Sequence, residues 1–448
     1  MVRLRFLAAA ALVVSAPATA QFWGPPPSWG PPPPPPMWGP GPSWGSEPIA
    51  VPMHVEQGVD FVYTDPQLKR AEQEQRQHQQ PFGNWMMRNL GFGFAEQDSA
   101  PNPLFAELQR GLQQYQMTWG RLPQFDIPAG TALKPGSSDS RVDALRARLG
   151  MTPGGGFDEN VTSAVREYQR VHGLKVTGVA DAATIRSLNR GADYYLRRIA
   201  LNLERARRLP GMGQFQRYVV VDSGAAQIYM FDHDRLSDSM RAIVGAPETK
   251  TPMMALLMRG AKVNPYWNVP QDMVRDFTAK NVLKQGTSYI KNYNYEVLTG
   301  SGNSIAPIDP KNVDWSAVAA GQQTVLVRQL PGPWNSMGEI KFETPNDYGI
   351  YLHDTPNKAL FAKADRWISN GCVRLEDADR FTTWVFGGNP QSAQRETMVE
   401  VQSPVPVYMT YLTVGTSRDG VQFRPDPYNF DEQAMNRLFG RPQYAKFG

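Results

Sequence analysis

Residues 351–356 read Y-L-H-D-T-P and residues 369–375 read S-N-G-C-V-R-L, and these two stretches decide how the rest of the chain is interpreted. They place His353 and Cys372 close together in the sequence. Only about 3% of a free thiol is ionised at pH 7, and a neighbouring imidazole can accept its proton and raise that fraction. The spacing alone is a weak signal, because a cysteine and a histidine often fall this close by chance.

Cys372 is the only cysteine among the 448 residues, so it has no disulfide partner within the chain. Residues 1–20 predict a secretory signal peptide, with Arg3 and Arg5, an apolar run over 6–14 and an Ala-Thr-Ala cleavage site. The alternative is a buried N-terminal helix. We expect export to an oxidising compartment, where an unpaired thiol is a liability unless it has a chemical role. We expect no transmembrane segment in the mature protein.

Composition narrows the possible partners. The net charge of +4 and pI of about 9.0 suit a polyanion. No dense stripe of Lys and Arg is present, so we expect no nucleic acid partner. No His/Cys/Asp cluster has zinc-ligand spacing and no phosphate-binding glycine loop follows a strand, so we expect no metal and no cofactor.

The chain divides by composition and periodicity into successive regions. These are a signal peptide (1–20), a Pro/Gly/Trp-rich linker (21–50), a mostly helical scaffold (51–136), a three-helix module (137–190), a connecting basic helix (191–215), a β-rich domain (216–405) with a polar insert (268–323), and a C-terminal extension (406–448). Two interpretations of the linker stay open: a polyproline spacer, or a docking arm that uses its tryptophans.

Local patterns predict the elements within these regions. An amphipathic helix begins at Pro103, Asp158 and Asp181 begin helices of the module, and alternating apolar residues predict a series of strands. The strands are predicted at 218–221, 227–231, 240–244, 256–263, 324–329, 339–342 and 349–353.

Residues 137–190 resemble the three-helix peptidoglycan-binding domain through Gly156-Phe157-Asp158 and His172-Gly173-Leu174. A helical spacer that shares this fold without binding is the open alternative. The two stretches quoted first, with Asn264 to Pro270 and Arg328 to Pro333, resemble the YkuD-type L,D-transpeptidase catalytic domain in its periplasmic, YcbB-like branch. The resemblance implies a multidomain α+β protein with a β-sandwich-like catalytic domain, in which the insert caps the substrate.

The resemblance also implies roles for individual residues. Cys372 is the expected nucleophile and His353 its general base and later acid. The amides of Gly371 and Cys372 are oxyanion candidates, with Ser369 and Asn370 shaping their loop. Arg374 either anchors a substrate carboxylate or holds the loop through a buried ion pair. Tyr351 and Asn335 are candidates for the pocket wall.

The implied reaction joins peptidoglycan stem peptides in the periplasm. A tetrapeptide donor is acylated onto the thiol after its diaminopimelate residue, and the side-chain amine of a second diaminopimelate accepts it. Water or a surface or outer-membrane protein amine are open alternatives as acceptor. A third possibility is a non-catalytic wall-binding protein. The presence of both His353 and Cys372 argues against it.

Overall fold

A computed structural model describes residues 58–77, 101–300, 304–417 and 420–439. The predicted signal peptide (1–20) and the Pro/Gly/Trp-rich linker (21–50) lie outside these residues. Within the described part of the chain, no helix is long and apolar enough to cross a membrane.

The helices of these residues are numbered in chain order. They are α1 (Pro66–Gln77), α2 (Pro103–Met117), α3 (Arg141–Arg148), α4 (Glu159–Val171), α5 (Ala182–Asn189), α6 (Gly191–Arg207), α7 (Gln271–Met273), α8 (Lys280–Gln285), α9 (Ser288–Asn292), α10 (Trp315–Ala319), α11 (Ala378–Phe386) and α12 (Asp431–Phe439). A π-helical turn, Val274–Ala279, joins α7 to α8. Short 3₁₀ turns lie at Trp119–Arg121, Pro310–Asn312 and Lys358–Ala362.

The strands are numbered in the same way. They are β1 (Val62–Tyr63), β2 (Arg217–Asp222), β3 (Gln227–Asp232), β4 (Arg235–Gly245), β5 (Met254–Val263), β6 (Trp267–Asn268), β7 (Tyr295–Thr299), β8 (Ala306–Pro307), β9 (Leu326–Gln329), β10 (Ile340–Glu343), β11 (Leu352–His353), β12 (Trp367–Ser369), β13 (Val373–Leu375), β14 (Thr397–Thr410), β15 (Val414–Ser417) and β16 (Gly420–Phe423).

The predicted three-helix module is present as α3, α4 and α5. Asp158 caps α4 by accepting a hydrogen bond from the Val161 amide, and Asp181 caps α5 through the Thr184 amide. Side-chain carboxylates at this position satisfy amides that lack a partner at the start of a helix. The three helices enclose a small core that includes Leu145 and Val165. The predicted helix starts in this module are confirmed.

The main sheet has the order β1-β5-β10-β11-β13-β4-β3-β2-β14, and β14 also pairs with β5, so the hydrogen-bonded path closes. Alternate residues of these strands fill one shared core, to which Phe342, Leu352 and Val373 contribute. Each fully buried side chain of this kind contributes about 1.5–3 kcal/mol relative to exposure. Helix α11 packs Phe381 and Val385 onto the same core. The predicted α+β class is confirmed.

The insert is larger than predicted and has its own core. Strand β9 pairs with β6 and β7 in a second sheet of order β6-β9-β7-β8, so the strand predicted at 324–329 belongs to the insert, not to the main sheet. Buried Tyr289, Trp315 and Val327 are part of a cluster separate from the main core. Pairing partners depend on distant residues, which is why local alternation identified the strand but not its sheet.

Outside the insert, the predicted division of the chain differs in detail from the structure. The described residues of the mostly helical scaffold predicted at 51–136 also include β1, which pairs with β5, and residues 122–130, which are neither helix nor strand. The sheet runs past residue 405, because Val405, Val407 and Met409 of β14 are all buried in the main core. Of the segment predicted as a C-terminal extension (406–448), the described β15–β16 hairpin shares a core with α2 and α6.

The helix predicted as basic is α6, and many of its arginines have carboxylate partners. Arg198 and Arg205 both bind the buried Asp431 on α12. Arg207 and Arg208 both bind Glu204. The helix therefore joins the module to the C-terminal segment, and its charge is largely neutralised within the molecule.

Candidate active site

The site lies on one face of three neighbouring strands, β10, β11 and β13. Successive side chains of a strand point to opposite faces, and Phe342, Leu352 and Val373 point into the main core. On the other face, Lys341 pairs with His353 and His353 pairs with Arg374. Continuing this register by two residues aligns Glu343, Tyr351 and Cys372 on the same face. The two predicted catalytic residues therefore share a face with four other polar or charged side chains.

His353 and Cys372 are diagonal neighbours on this face. The amide of Val373 donates to the carbonyl of Tyr351 at 2.8 Å, which fixes Cys372 beside Tyr351. Adjacent strands lie about 4.8 Å apart and two residues span about 6.6 Å, so the Cα atoms of His353 and Cys372 are about 8 Å apart. That separation allows the two side chains to meet over the face.

The imidazole of His353 is arranged to accept a proton. Its side chain is buried, and Nδ1 lies 2.5 Å from the carbonyl oxygen of Asp354. A carbonyl only accepts, so Nδ1 carries the hydrogen and Nε2 keeps its lone pair. Burial, reinforced by the charge of Arg374, lowers the pKa of His353 to about 3. The ring is therefore neutral at physiological pH.

The thiol of Cys372 is also held by the backbone. It donates to the carbonyl oxygen of Gly349 at 3.4 Å. Burial raises the pKa of Cys372, while the Tyr351 backbone amide and the charges of Lys341 and Arg374 act in the opposite direction. Each member of the Cys/His pair thus binds a carbonyl in this arrangement. Catalytic hydrogen bonds of this kind often tighten only when substrate is bound.

The turn before the cysteine is fixed by Ser369. Its hydroxyl donates to the Cys372 carbonyl at 2.6 Å and accepts from the Gly371 amide at 3.2 Å. Gly371 has φ of +105°, a conformation that a side chain would strain. Because the Gly371 amide is already engaged, the Cys372 amide is the better of the two predicted oxyanion donors.

Residues that no motif indicated support this turn from behind. Thr251 donates from Oγ1 to the Gly371 carbonyl at 2.7 Å and accepts from the Gly245 amide at 2.9 Å. Tyr428 donates to the Gly245 carbonyl at 2.7 Å. They lie far from the turn in the sequence and only the closed sheet brings them together, so no local signal could have identified them.

The remaining predicted residues have different positions. Asn370 lies 3.4 Å from the Met273 sulfur, which brings the insert into contact with the turn. Asn335 is fully buried, and its amide binds the Pro265 carbonyl at 2.8 Å and the Leu330 carbonyl at 3.1 Å. The structure therefore gives Asn335 a role in holding the junction of insert and sheet, and its role in the pocket wall stays a prediction.

The face also carries Lys341 and Glu343, which were not predicted as site residues, and Arg374, which was. The Lys341 ammonium lies 3.6 Å from the ring centroid of Tyr351 and 3.3 Å from a carboxylate oxygen of Glu343. Arg374 is buried, and burial lowers its pKa to about 10, still well above neutral pH. Strand alternation could have placed Lys341 on the face of His353 only once the pairing of β10 with β11 was known.

A cleft of about 660 Å³ lies elsewhere, between the module and α12, and is lined by residues that include His172, Arg190 and Asn436. It is not the site of the thiol. Among the described residues, no three His, Cys, Asp or Glu side chains form a group that could hold a metal ion.

Comparison with known families agrees with this geometry. The family model of the L,D-transpeptidase catalytic domain, YkuD, matches residues 216–407, which include all six side chains of the face. Residues 216–407 form a YkuD L,D-transpeptidase catalytic domain. A second model, described as "Putative peptidoglycan binding domain", matches residues 144–188 within the three-helix module.

Individual relatives are more distant. A curated protein of Haemophilus influenzae, described as "Putative L,D-transpeptidase", is 30% identical over 246 residues, which are 53% of this chain and 48% of that protein. The chain thus spans about half the length of this relative.

Two solved structures show a distant likeness to this chain. An L,D-transpeptidase from Mycobacterium smegmatis is 12% identical, with 44% of this chain and 58% of that one covered and a TM-score of 0.22. One from Xylanimonas cellulosilytica is 14% identical, with 63% and 98% covered and a TM-score of 0.18. The match of residues 216–407 to the family model, not these structural likenesses, carries the assignment of the L,D-transpeptidase domain.

Proposed function

We propose that this protein is a peptidoglycan-modifying L,D-transpeptidase that cross-links stem peptides through a thioester on Cys372. The observation that carries the proposal is the placement of Cys372 and His353 on one face of β11 and β13, within residues matched by the catalytic domain family. The face holds a thiol, a neutral imidazole and two cations. That combination suits acyl transfer from a peptide with a free carboxylate.

In the first half-reaction, Cys372 Sγ attacks the carbonyl carbon of the third residue of a tetrapeptide stem, in the peptide bond to the terminal D-alanine. The thiol proton passes to Nε2 of His353, and the carbonyl oxygen becomes an oxyanion that the Cys372 amide is positioned to bind. The tetrahedral adduct then expels the terminal D-alanine, whose amine takes the proton from His353. The carbon–nitrogen bond breaks as the thioester forms.

In the second half-reaction, an amine attacks the thioester and releases the thiol. We propose that this amine is the side chain of diaminopimelate on a second stem, which yields a 3–3 cross-link. His353 accepts the amine proton and returns a proton to the departing sulfur. Contact between Asn370 and Met273 supports a role for the insert in covering this step, since exclusion of water would favour the amine.

The proposal also covers the regions of the chain outside the catalytic domain. We propose that the three-helix module binds the wall, on the strength of the family match to 144–188. We further propose that residues 1–20 direct export to the periplasm, that residues 21–50 act as a spacer, and that the acceptor stem, not a protein, is the usual partner.

The test is mass spectrometry of the purified protein incubated with disaccharide-tetrapeptide, beside Cys372→Ala as control. A product lighter than two monomers by one alanine, absent with the variant, is the expected result. Tripeptide without dimer would replace the proposed acceptor by water. No product from folded protein would contradict the enzymatic proposal and favour a wall-binding function.

A further inference from the structure

A charge pair lies on the active face beside the predicted nucleophile, and no step of the proposed mechanism uses it. Lys341 and Glu343 alternate along β10, so both side chains point to the face that carries Cys372. Their charged atoms are 3.3 Å apart, and the two side chains are only 14% and 19% exposed. Ion pairs on open surfaces contribute little, but charges this shielded from water act strongly on their neighbours.

Tyr351 connects this pair to the thiol. The Lys341 ammonium lies 3.6 Å from the centre of the Tyr351 ring, close enough for a cation–π contact. Tyr351 in turn is the register neighbour of Cys372, since its carbonyl accepts from the Val373 amide. Both Cys372 and Glu343 contribute to raising the pKa of the Tyr351 phenol, after the larger effect of burial, so both lie within its electrostatic reach.

We propose, on the basis of the function given above, that Lys341 and Glu343 together set the reactivity of Cys372. The ammonium, held over Tyr351, stabilises the thiolate, and the carboxylate limits that effect by partly neutralising the ammonium. Lys341 is thus a positioning residue that acts on the thiol through its charge and through Tyr351. Glu343 reduces the effect of that charge.

Other charged groups lie on the elements around the active face. Arg374 lies on β13 two residues after Cys372 and adds a second positive charge. Lys358 binds Asp354 at 2.6 Å, and Lys262 of β5 lies 3.4 Å from Glu396. On the insert, Asp272 is next to Met273 and is half-buried, and burial raises its pKa. Lys341 is distinguished by its ammonium, which lies directly over the Tyr351 ring.

The charge of Lys341 affects the histidine in the opposite sense. It adds to the effect of burial and of Arg374 in lowering the pKa of His353, while it opposes the effect of burial on Cys372. A thiolate is favoured and an imidazolium is disfavoured by the same ammonium. The imidazolium formed during acylation is therefore a stronger acid, which helps it to protonate the departing amine.

The experiment measures alkylation of Cys372 by iodoacetamide as a function of pH, using the full chain and intact mass. Cys372 is the only thiol in the sequence, so each adduct reports on it alone. The variants are Lys341→Met, Lys341→Arg and Glu343→Gln. Lys262→Met is the matched control, because Lys262 pairs with Lys341 across the sheet one strand further from the thiol.

We expect opposite shifts from the two members of the pair. Lys341→Met should raise the pH midpoint of alkylation and slow it about three- to tenfold at neutral pH, since one pKa unit changes the thiolate fraction about tenfold. Glu343→Gln should lower the midpoint, Lys341→Arg should restore it, and Lys262→Met should leave it unchanged.

Shifts of the same sign for Lys341→Met and Glu343→Gln would overturn the proposal, because a loss of packing would move both midpoints in the same direction, whereas a loss of charge moves them in opposite directions. An equal effect from Lys262→Met would also overturn it. Unshifted midpoints would also overturn it. Alkylation needs no stem peptide, so a failure of the proposed transpeptidation would leave this result readable on its own.

Discussion

At the scale of single residues, the turn before Cys372 is held by side-chain hydroxyl groups. One of them belongs to a neighbour in the sequence and the other to a distant segment. The Ser369 hydroxyl accepts from the amide of Gly371 and donates to the carbonyl of Cys372. Thr251, which lies just before β5, donates to the carbonyl of Gly371. Each bond fixes a backbone group that would otherwise be buried without a partner. The position of the thiol is therefore set by residues that have no chemical role.

The first prediction concerns Thr251. Replacement Thr251→Val keeps the shape but leaves the Gly245 amide and the Gly371 carbonyl without this partner, at about 1–3 kcal/mol of stability. We expect the free energy of unfolding to fall by that amount and acylation of Cys372 to slow at least tenfold, because the turn loosens. Denaturant titration and single-turnover acylation measure the two effects.

Thr251→Ser is the matched control, since it keeps the hydroxyl. If Thr251→Val acylates at the rate of the serine variant, the hydroxyl does not position the turn.

The limits of sequence reasoning are also clearest at this scale. His353, Cys372 and Ser369 lie in motifs that can be read locally. Thr251, Tyr428 and Lys341 could not be found, because they reach the site only through strand pairing between distant segments. Asn335 was predicted for the pocket wall from a motif, and the motif did not indicate that its side-chain amide donates to backbone carbonyls.

At the scale of elements, the insert behaves as a small folding unit beside the main sheet. Its own four-stranded sheet and its cluster around Trp315 are distinct from the core under β10, β11 and β13. It touches the active turn through Met273, immediately before the π-helical turn Val274–Ala279. Single π-helical turns are frequent at functional sites. Periodicity predicted an insert here, but its polar composition concealed the separate core.

The second prediction is that Trp315→Ala loosens the insert without unfolding the main sheet. Removing a buried tryptophan costs about 3–5 kcal/mol, and Trp315 is buried and donates to the Pro310 carbonyl at 2.8 Å. Hydrogen exchange should accelerate in β7 and β9 and stay slow in β5 and β14.

Leu283→Ala is the control for this experiment, because Leu283 lies in the same insert but is 53% exposed. Loss of protection in β5 and β14 together with the insert would show that the two cores unfold as one.

At the scale of the whole molecule, a buried ion cluster joins the helical part to the C-terminal segment. Asp431 of α12 accepts from Arg198 and Arg205 of α6, each at 2.7 Å, and from Thr413 at 2.6 Å. Burial would raise the pKa of Asp431, but the charges of Arg205 and Arg198 hold it below its usual value. The sequence predicted a connecting basic helix at 191–215, and the fold uses these two arginines internally.

The third prediction follows from this cluster. Asp431→Asn leaves two buried guanidinium groups without their anion, which costs about 3–5 kcal/mol. We expect a large drop in the denaturant midpoint. Asp193→Asn is the matched control, since Asp193 pairs with Arg197 of the same helix but is 72% exposed, and it should change stability by less than about 0.5 kcal/mol. Equal effects would contradict the importance of burial.

The fourth prediction concerns acid stability. Burial lowers the pKa of His172 and of His353 to about 3 from 6.5. Above pH 6.5 both states of the chain hold neutral rings, so the contribution is fully present; as the pH falls towards 3, the unfolded chain takes up protons that the folded one does not. In this window, each histidine should therefore lower the free energy of unfolding by about 1.4 kcal/mol for each unit by which the pH falls.

His172→Gln isolates one of these contributions. The stability difference between the parent and this variant, measured by denaturant titration, should change with pH between 6.5 and 3 in the variant's favour as the pH falls. A difference that is independent of pH would show that His172 is not kept neutral by the fold.

The most direct test of the central claim is to trap the acyl-enzyme. The protein is mixed with tetrapeptide donor, quenched in acid within the first turnover, and analysed by intact mass and peptide mapping. We predict a mass increase equal to the donor minus D-alanine, located on the peptide that contains Cys372 and strongly reduced by His353→Gln. An adduct on another residue, or cross-linked product without any adduct on Cys372, would contradict the account.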